Sequence, residues 1–230
     1  MPHNLKDYFL IIILLVGTRH TQVNAELLNP DPTRFSNAFE QFKVSDKSFA
    51  LPVGKLTLFT GSSSIRRWKS LASDFPEITL VNRGFGGSHI SDVIYYYNNL
   101  FPRYRPKQII FYCGENDLWS GKSVDQVFKD FQTLWYKINM DLPNTKLIYL
   151  SCKPSPKRFK KWNIYQSLNL RIKNLCLRNQ KLFFVDLTPT LLNPNFTFNK
   201  KFWDEDQLHV NQLGYGLWKK WLHPVLHLSR

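Results

Sequence analysis

Five short apolar runs recur along the chain, at 56–59, 78–81, 108–113, 146–152 and 182–187. Each is continuous in apolar character rather than alternating, which is the pattern of a strand covered by helices on both faces. Between them, at 65–75, 90–101, 124–142 and 162–179, apolar residues return every three or four positions, and a last stretch of this kind closes the chain at 213–228. That period gathers the apolar side chains on one helix face. Strand alternating with helix in this way predicts an α/β fold, a three-layer α/β/α sandwich around a five-stranded parallel sheet with right-handed crossovers. No repeat, low-complexity tract or internal linker interrupts the pattern, so 26–230 reads as one domain.

The first 25 residues stand apart from it. An apolar stretch at 8–17 follows Lys6 and precedes Val23-Asn24-Ala25, and it is shorter than the ~20 residues that span a bilayer. This predicts a secretory signal cleaved after Ala25, and hence a secreted or periplasmic protein, in preference to a membrane anchor. The whole chain carries a formal charge of +14, and losing Lys6, Arg19 and Asp7 with the leader leaves +13. A charge of this size makes an anionic surface, such as lipid headgroups or acidic polysaccharide, a candidate partner. Export argues against nucleic acid. The densest basic run, "KPSPKRFKKW" at 153–162, is expected to be a solvated loop.

Cys113, Cys152 and Cys176 are too few and too widely spaced for a zinc site or a disulfide framework. Cys113 and Cys152 each end a strand-like run, so buried free thiols are expected, with a bridge between them open if those strands are neighbours. His223 and His227 lie four apart on the final helix, but no acidic third ligand is near. No metal or cofactor is expected. The sequon Asn195-Phe196-Thr197 matters only where the host glycosylates secreted proteins.

Candidate chemistry gathers at the strand ends, since open parallel sheets bind ligands at the carboxyl edge where the strand order reverses. The first strand runs into Gly61-Ser62-Ser63-Ser64, the second into Asn82-Arg83-Gly84-Phe85-Gly86-Gly87-Ser88, and the third into Gly114-Glu115-Asn116-Asp117. Taken alone, the serine triplet reads as a helix N-cap, a role in which a serine hydroxyl accepts from a free backbone N–H. A nucleophilic serine needs a base, and the base a group that orients it. Of His89, His209, His223 and His227, only His209 has an acid one turn upstream, in Asp206-Gln207-Leu208-His209. His89 reads as structural. Gly86-Gly87 and Asn116 could supply oxyanion donors, the glycines because no Cβ blocks approach to their N–H groups.

The order of these blocks resembles that of the SGNH hydrolases, the GDSL esterase/lipase family. "FTGSSSIRRW" is similar to F-x-G-D-S-I-T-x-x-W, "NRGFGGS" to N-x-G-x-G-G-D, "GEND" to G-x-N-D and "DQLH" to the closing D-x-x-H. The resemblance spans roughly 56–226 and implies the flavodoxin-like fold of that family. Anchored on Phe59, Gly61 and Trp68, it implies Ser63 as nucleophile, Asp206 and His209 as its partners, and Ser63, Gly87 and Asn116 as the oxyanion hole. Ser62 and Ser88 stand where the family commonly has aspartate. The implied activity is hydrolysis of acyl esters on a small-molecule, glycan or lipid substrate, with short acetyl-type groups favoured because no cap domain is visible. The alternatives are a lysophospholipase or lipase, and a non-catalytic basic binder on the same fold.

Overall fold

β1 (Thr57–Gly61) and β3 (Gln108–Tyr112) are buried at every position, because each lies between two other strands with helices above and below. The computed structural model describes residues 29–48 and 54–226, so the leader and His227 lie outside the described residues. With β2 (Leu80–Gly84), β4 (Lys146–Leu150) and β5 (Leu182–Val185), the two strands form one sheet in the order β2-β1-β3-β4-β5. All neighbours are parallel, as the continuous apolar runs predict.

Strand side chains alternate between the two faces. Leu58, Ile109, Phe111, Leu147 and Tyr149 pack into a core beneath α1 (Ser36–Asp46), α4 (Ile90–Tyr95), α5 (Tyr97–Tyr104), α7 (Val124–Asp141) and α8 (Trp162–Cys176). Phe59, Ile110, Tyr112, Ile148 and Leu150 pack on the opposite face beneath α2 (Ser63–Arg66), α3 (Leu71–Asp74), α9 (Thr188–Leu191) and α10 (Gln212–Leu226). The sandwich has the three layers that the sequence pattern implies.

Two of the expected helices are broken. The stretch 65–75 divides into α2 and α3 because the chain turns at Trp68 to sink the indole into the core. There it stacks on Tyr215 with centroids 5.0 Å apart and meets Trp218 edge-on, while its Nε1 donates to Asp74 at 2.7 Å. The stretch 90–101 breaks at Tyr96, whose ring stacks on Phe39 of α1 at 3.7 Å. Both breaks exchange helical continuity for burial of a large aromatic surface, which contributes more than the one or two hydrogen bonds lost.

Cys113 and Cys152 do follow neighbouring strands, yet both are buried free thiols. Cys152 Sγ lies 3.4 Å from the Tyr149 hydroxyl and 3.8 Å from the Cys113 carbonyl. Burial pushes its thiol up to about 12.

The sheet order positions the site. From β1 the chain crosses to β2 on one side, then returns past β1 to β3, β4 and β5 on the other. The carboxyl ends of β1 and β3 therefore flank the crevice where the winding reverses. The loops carrying the serine triplet and Asn116 both begin there.

Candidate active site

Gly61 ends β1 at φ +113°, and a Cβ on it would lie 2.1 Å from the Tyr112 carbonyl oxygen. Only glycine lets the strands approach this closely. Ser62 N–H then donates to that same carbonyl at 2.8 Å, which pins the start of α2 against β3. The three serines consequently have three fates. Ser62 is the buried residue preceding the helix, Ser64 is buried with its carbonyl accepting from the Tyr215 hydroxyl at 2.8 Å, and Ser63 keeps its side chain toward the crevice.

Ser63 Oγ lies 2.8 Å from His209 Nε2, and His209 Nδ1 lies 2.6 Å from Asp206 Oδ2. An ionised carboxylate can only accept, so Nδ1 carries the proton and Nε2 is left to accept from the serine hydroxyl. Asp206 Oδ1 is held by the backbone N–H groups of Leu208 and His209, each at 2.9 Å. Residues separated by 146 positions are thus joined because α10, which follows His209, docks on α2 through Tyr215 and Trp68.

Burial raises the Asp206 carboxyl, but the hydrogen bonds from the His209 N–H, the His209 ring and the Leu208 N–H outweigh it and hold the group well below the usual carboxylate range. Burial also lowers the basicity of His209. The bond from Asp206 opposes that, and Lys153 and Arg67 add to it, leaving the ring below its ordinary 6.5. The imidazole is therefore neutral at pH 7.

The other candidates fall at the same edge. β1 and β2 pair Gly61 with Gly84, which brings the second loop beside the first. Gly87 in that loop has φ +85° and open space where a Cβ would stand. Neither its N–H nor that of Ser63 has a hydrogen-bond partner among the described residues. Asn116, second residue of α6 (Glu115–Trp119), donates from Nδ2 to the Ser88 carbonyl at 3.2 Å.

Ser88 is fully buried against Cys113, and the carboxylates that brace this loop come from elsewhere. Asp92 accepts from the His89 N–H at 2.8 Å, and Asp117 accepts from the Ile90 N–H at 3.1 Å. His89 is buried, its Nδ1 makes no hydrogen bond, and burial followed by the nearby Lys122 charge lowers it to about 4. It is a packed, neutral residue, as the sequence suggests. His223 lies on the outer helix, 3.4 Å from Glu77.

The basic run departs from expectation. Lys157 and Lys160 are exposed, as a solvated loop requires, but Lys153 and Arg158 turn inward and pack into the site. Lys153 is buried, donating to Glu115 Oε2 at 2.8 Å and to the Tyr112 hydroxyl at 3.1 Å. Arg158 donates from Nη1 to Glu115 Oε1 at 3.2 Å and to Asn116 Oδ1 at 3.0 Å. Lys157 N–H donates to the Gln207 carbonyl at 3.0 Å, inside the D-Q-L-H loop. Arg67 is a second surprise, since its Nη1 reaches both Asp206 (2.9 Å) and Asp204 (3.1 Å). Two signals were available in the sequence: Arg67 lies four residues after Ser63, on the same helical side, and 153–161 begins at a strand end like the other three loops.

The sequence profile of the GDSL-like lipase/acylhydrolase family matches residues 54–217. The chain belongs to that family. GDSL-like acylhydrolases are carboxylic ester hydrolases, and the fold agrees with that of solved structures. A GDSL-like lipase from Bacteroides thetaiotaomicron superposes with a TM-score of 0.70 at 20% identity, over 82% of this chain and 96% of that one. An acetyl-xylooligosaccharide esterase from Geobacillus gives 0.61 at 13% identity, over 79% and 98%. A family 3 carbohydrate esterase from Clostridium thermocellum gives 0.58 at 17% identity, over 74% and 96%. At these identities the likeness concerns the fold alone. None of the curated proteins matches the chain.

Proposed function

We propose that this GDSL-like hydrolase is a secreted serine esterase that cleaves short, acetyl-type acyl esters through Ser63, His209 and Asp206. The observation that carries the reading is the continuous hydrogen-bonded path from Ser63 Oγ through the His209 ring to Asp206. His209 Nε2 takes the hydroxyl proton as Ser63 attacks the ester carbonyl, and Asp206 stabilises the imidazolium that forms. The oxyanion is received by the Ser63 and Gly87 N–H groups and by Asn116 Nδ2. His209 then returns the proton to the leaving alcohol, activates a water on the acyl-enzyme and releases the acid.

Preference for short acyl groups is supported by the strand ends. Among the described residues the first helical segments after the strands have only four to six residues, and no added layer of helices or strands lies over the half-buried Ser63. The carbohydrate esterases among the structural neighbours are in keeping with it. Secretion rests on the leader pattern at 1–25. A comparison of p-nitrophenyl acetate with the palmitate ester tests the specificity, and a higher kcat/KM for acetate is expected. A long-chain preference would favour the lysophospholipase reading instead. Mapping the peptide labelled by a fluorophosphonate tests the mechanism, and absence of any label would favour a non-catalytic binder.

The pH profile follows from the environment of the base. His209 acts only when neutral and its pKa is lowered, so kcat/KM should rise with pH through a value below the ordinary 6.5 and be level at neutral pH. Arg67 is among the charges that lower it. Arg67→Met should therefore move the acid limb to higher pH, as a profile between pH 4 and 9 will report. An unmoved limb would show that Arg67 does not act on His209.

A further inference from the structure

The basic loop raises a question that the proposed mechanism leaves open: why a chain should bury a lysine, a glutamate and most of an arginine beside its oxyanion site. The side chains of Lys153, Glu115 and Arg158 are 1%, 4% and 13% exposed. Burying such charges costs desolvation that their attraction does not reliably recover, so stability is a poor explanation. Their connectivity suggests orientation instead. Glu115 uses one oxygen for Lys153 and the Tyr112 hydroxyl and the other for Arg158. Arg158 is fixed further by the Trp119 ring, 5.0 Å from its guanidinium carbon. From this held position, Nη1 donates to Asn116 Oδ1.

We propose that Arg158 is a positioning residue that sets the rotation of the Asn116 amide so that Nδ2 faces the oxyanion. This rests on the reading of Asn116 as an oxyanion donor. A guanidinium has donors only, so the Asn116 atom facing it must be the carbonyl oxygen and the amide cannot flip. Nδ2 is then turned away from Arg158, where the Ser88 carbonyl takes one of its two hydrogens and the other is left for the substrate. Because Lys157 also bonds to Gln207, the same loop ties this donor to the segment that carries Asp206 and His209.

Steady-state kinetics of the full chain on p-nitrophenyl acetate, with Asn116→Ala, Arg158→Met and the double variant, test the assignment. Asn116→Ala should lower kcat by about a hundredfold or more. Arg158→Met should lower kcat by about tenfold to a hundredfold with KM little changed, the usual scale for a misplaced catalytic group. The double variant should be no slower than Asn116→Ala alone, because Arg158 has nothing to orient once the amide is gone. Multiplying losses in the double variant, a raised KM at unchanged kcat, or full activity in Arg158→Met would each overturn the proposal while leaving Asn116 as a donor. Full activity in Asn116→Ala would overturn the oxyanion reading, and the proposal with it. Glu115 keeps Lys153 and Tyr112 in Arg158→Met, so the variant should fold. If its thermal melt shows otherwise, Arg158→Gln, which stays polar but can offer an acceptor as well as a donor and so no longer dictates the amide rotation, replaces it in the same cycle with the same outcomes.

Discussion

Ser63→Ala is expected to lower kcat on p-nitrophenyl acetate by about a millionfold, the scale seen when a serine hydrolase loses its nucleophile. Ser62→Ala and Ser64→Ala should retain most of the activity. The contrast follows from how α2 begins. Ser63 alone meets His209, whereas Ser62 makes no capping hydrogen bond and Ser64 contributes its carbonyl to Tyr215. Alanine removes none of the backbone bonds that hold the turn, so the three variants should melt together and differ only in turnover. A dead Ser62→Ala beside an active Ser63→Ala would move the nucleophile by one residue and refute the assignment.

Asp206→Asn should lower kcat on the order of ten-thousandfold, through the tautomer of the base rather than through its position. An asparagine amide oriented by the Leu208 and His209 N–H groups would present its NH2 toward Nδ1. The ring would answer by carrying its proton on Nε2, where it would face Ser63 as a donor instead of an acceptor. Arg67, which donates to that same oxygen in the native protein, would lose its acceptor there. Retention of activity within about tenfold would show that His209 does not need the carboxylate, contrary to the usual behaviour of such triads.

Much of the fold was legible because parallel α/β sheets write themselves plainly. Strands buried on both faces need continuous apolar runs, and these five runs are found as strands within a few residues of their expected limits. The helix breaks at Trp68 and Tyr96 were not legible, since helical periodicity reports which face is apolar and not whether one large ring will leave the helix to reach the core. The site was legible to the extent that its residues fall at strand ends in a fixed order, with Ser63, Gly87, Asn116, Asp206 and His209 all reaching the same edge. Lys153 and Arg158 were misread because charge density in a sequence ordinarily means solvent, and the partner that buries them, Glu115, lies 38 and 43 residues upstream of them.

The sequence by itself determined the layers, the strand polarity and the inventory of reactive groups, because burial and hydrogen-bonding chemistry act through local pattern. Which serine meets the histidine, which atom of the Asn116 amide faces Arg158, and where the basic loop goes were decided only by tertiary structure. Each depends on the Gly61 backbone lying against Tyr112, on Tyr215 reaching Ser64, and on a buried carboxylate gathering two distant cations. Contacts of that kind join residues far apart in the chain, and no local pattern records them.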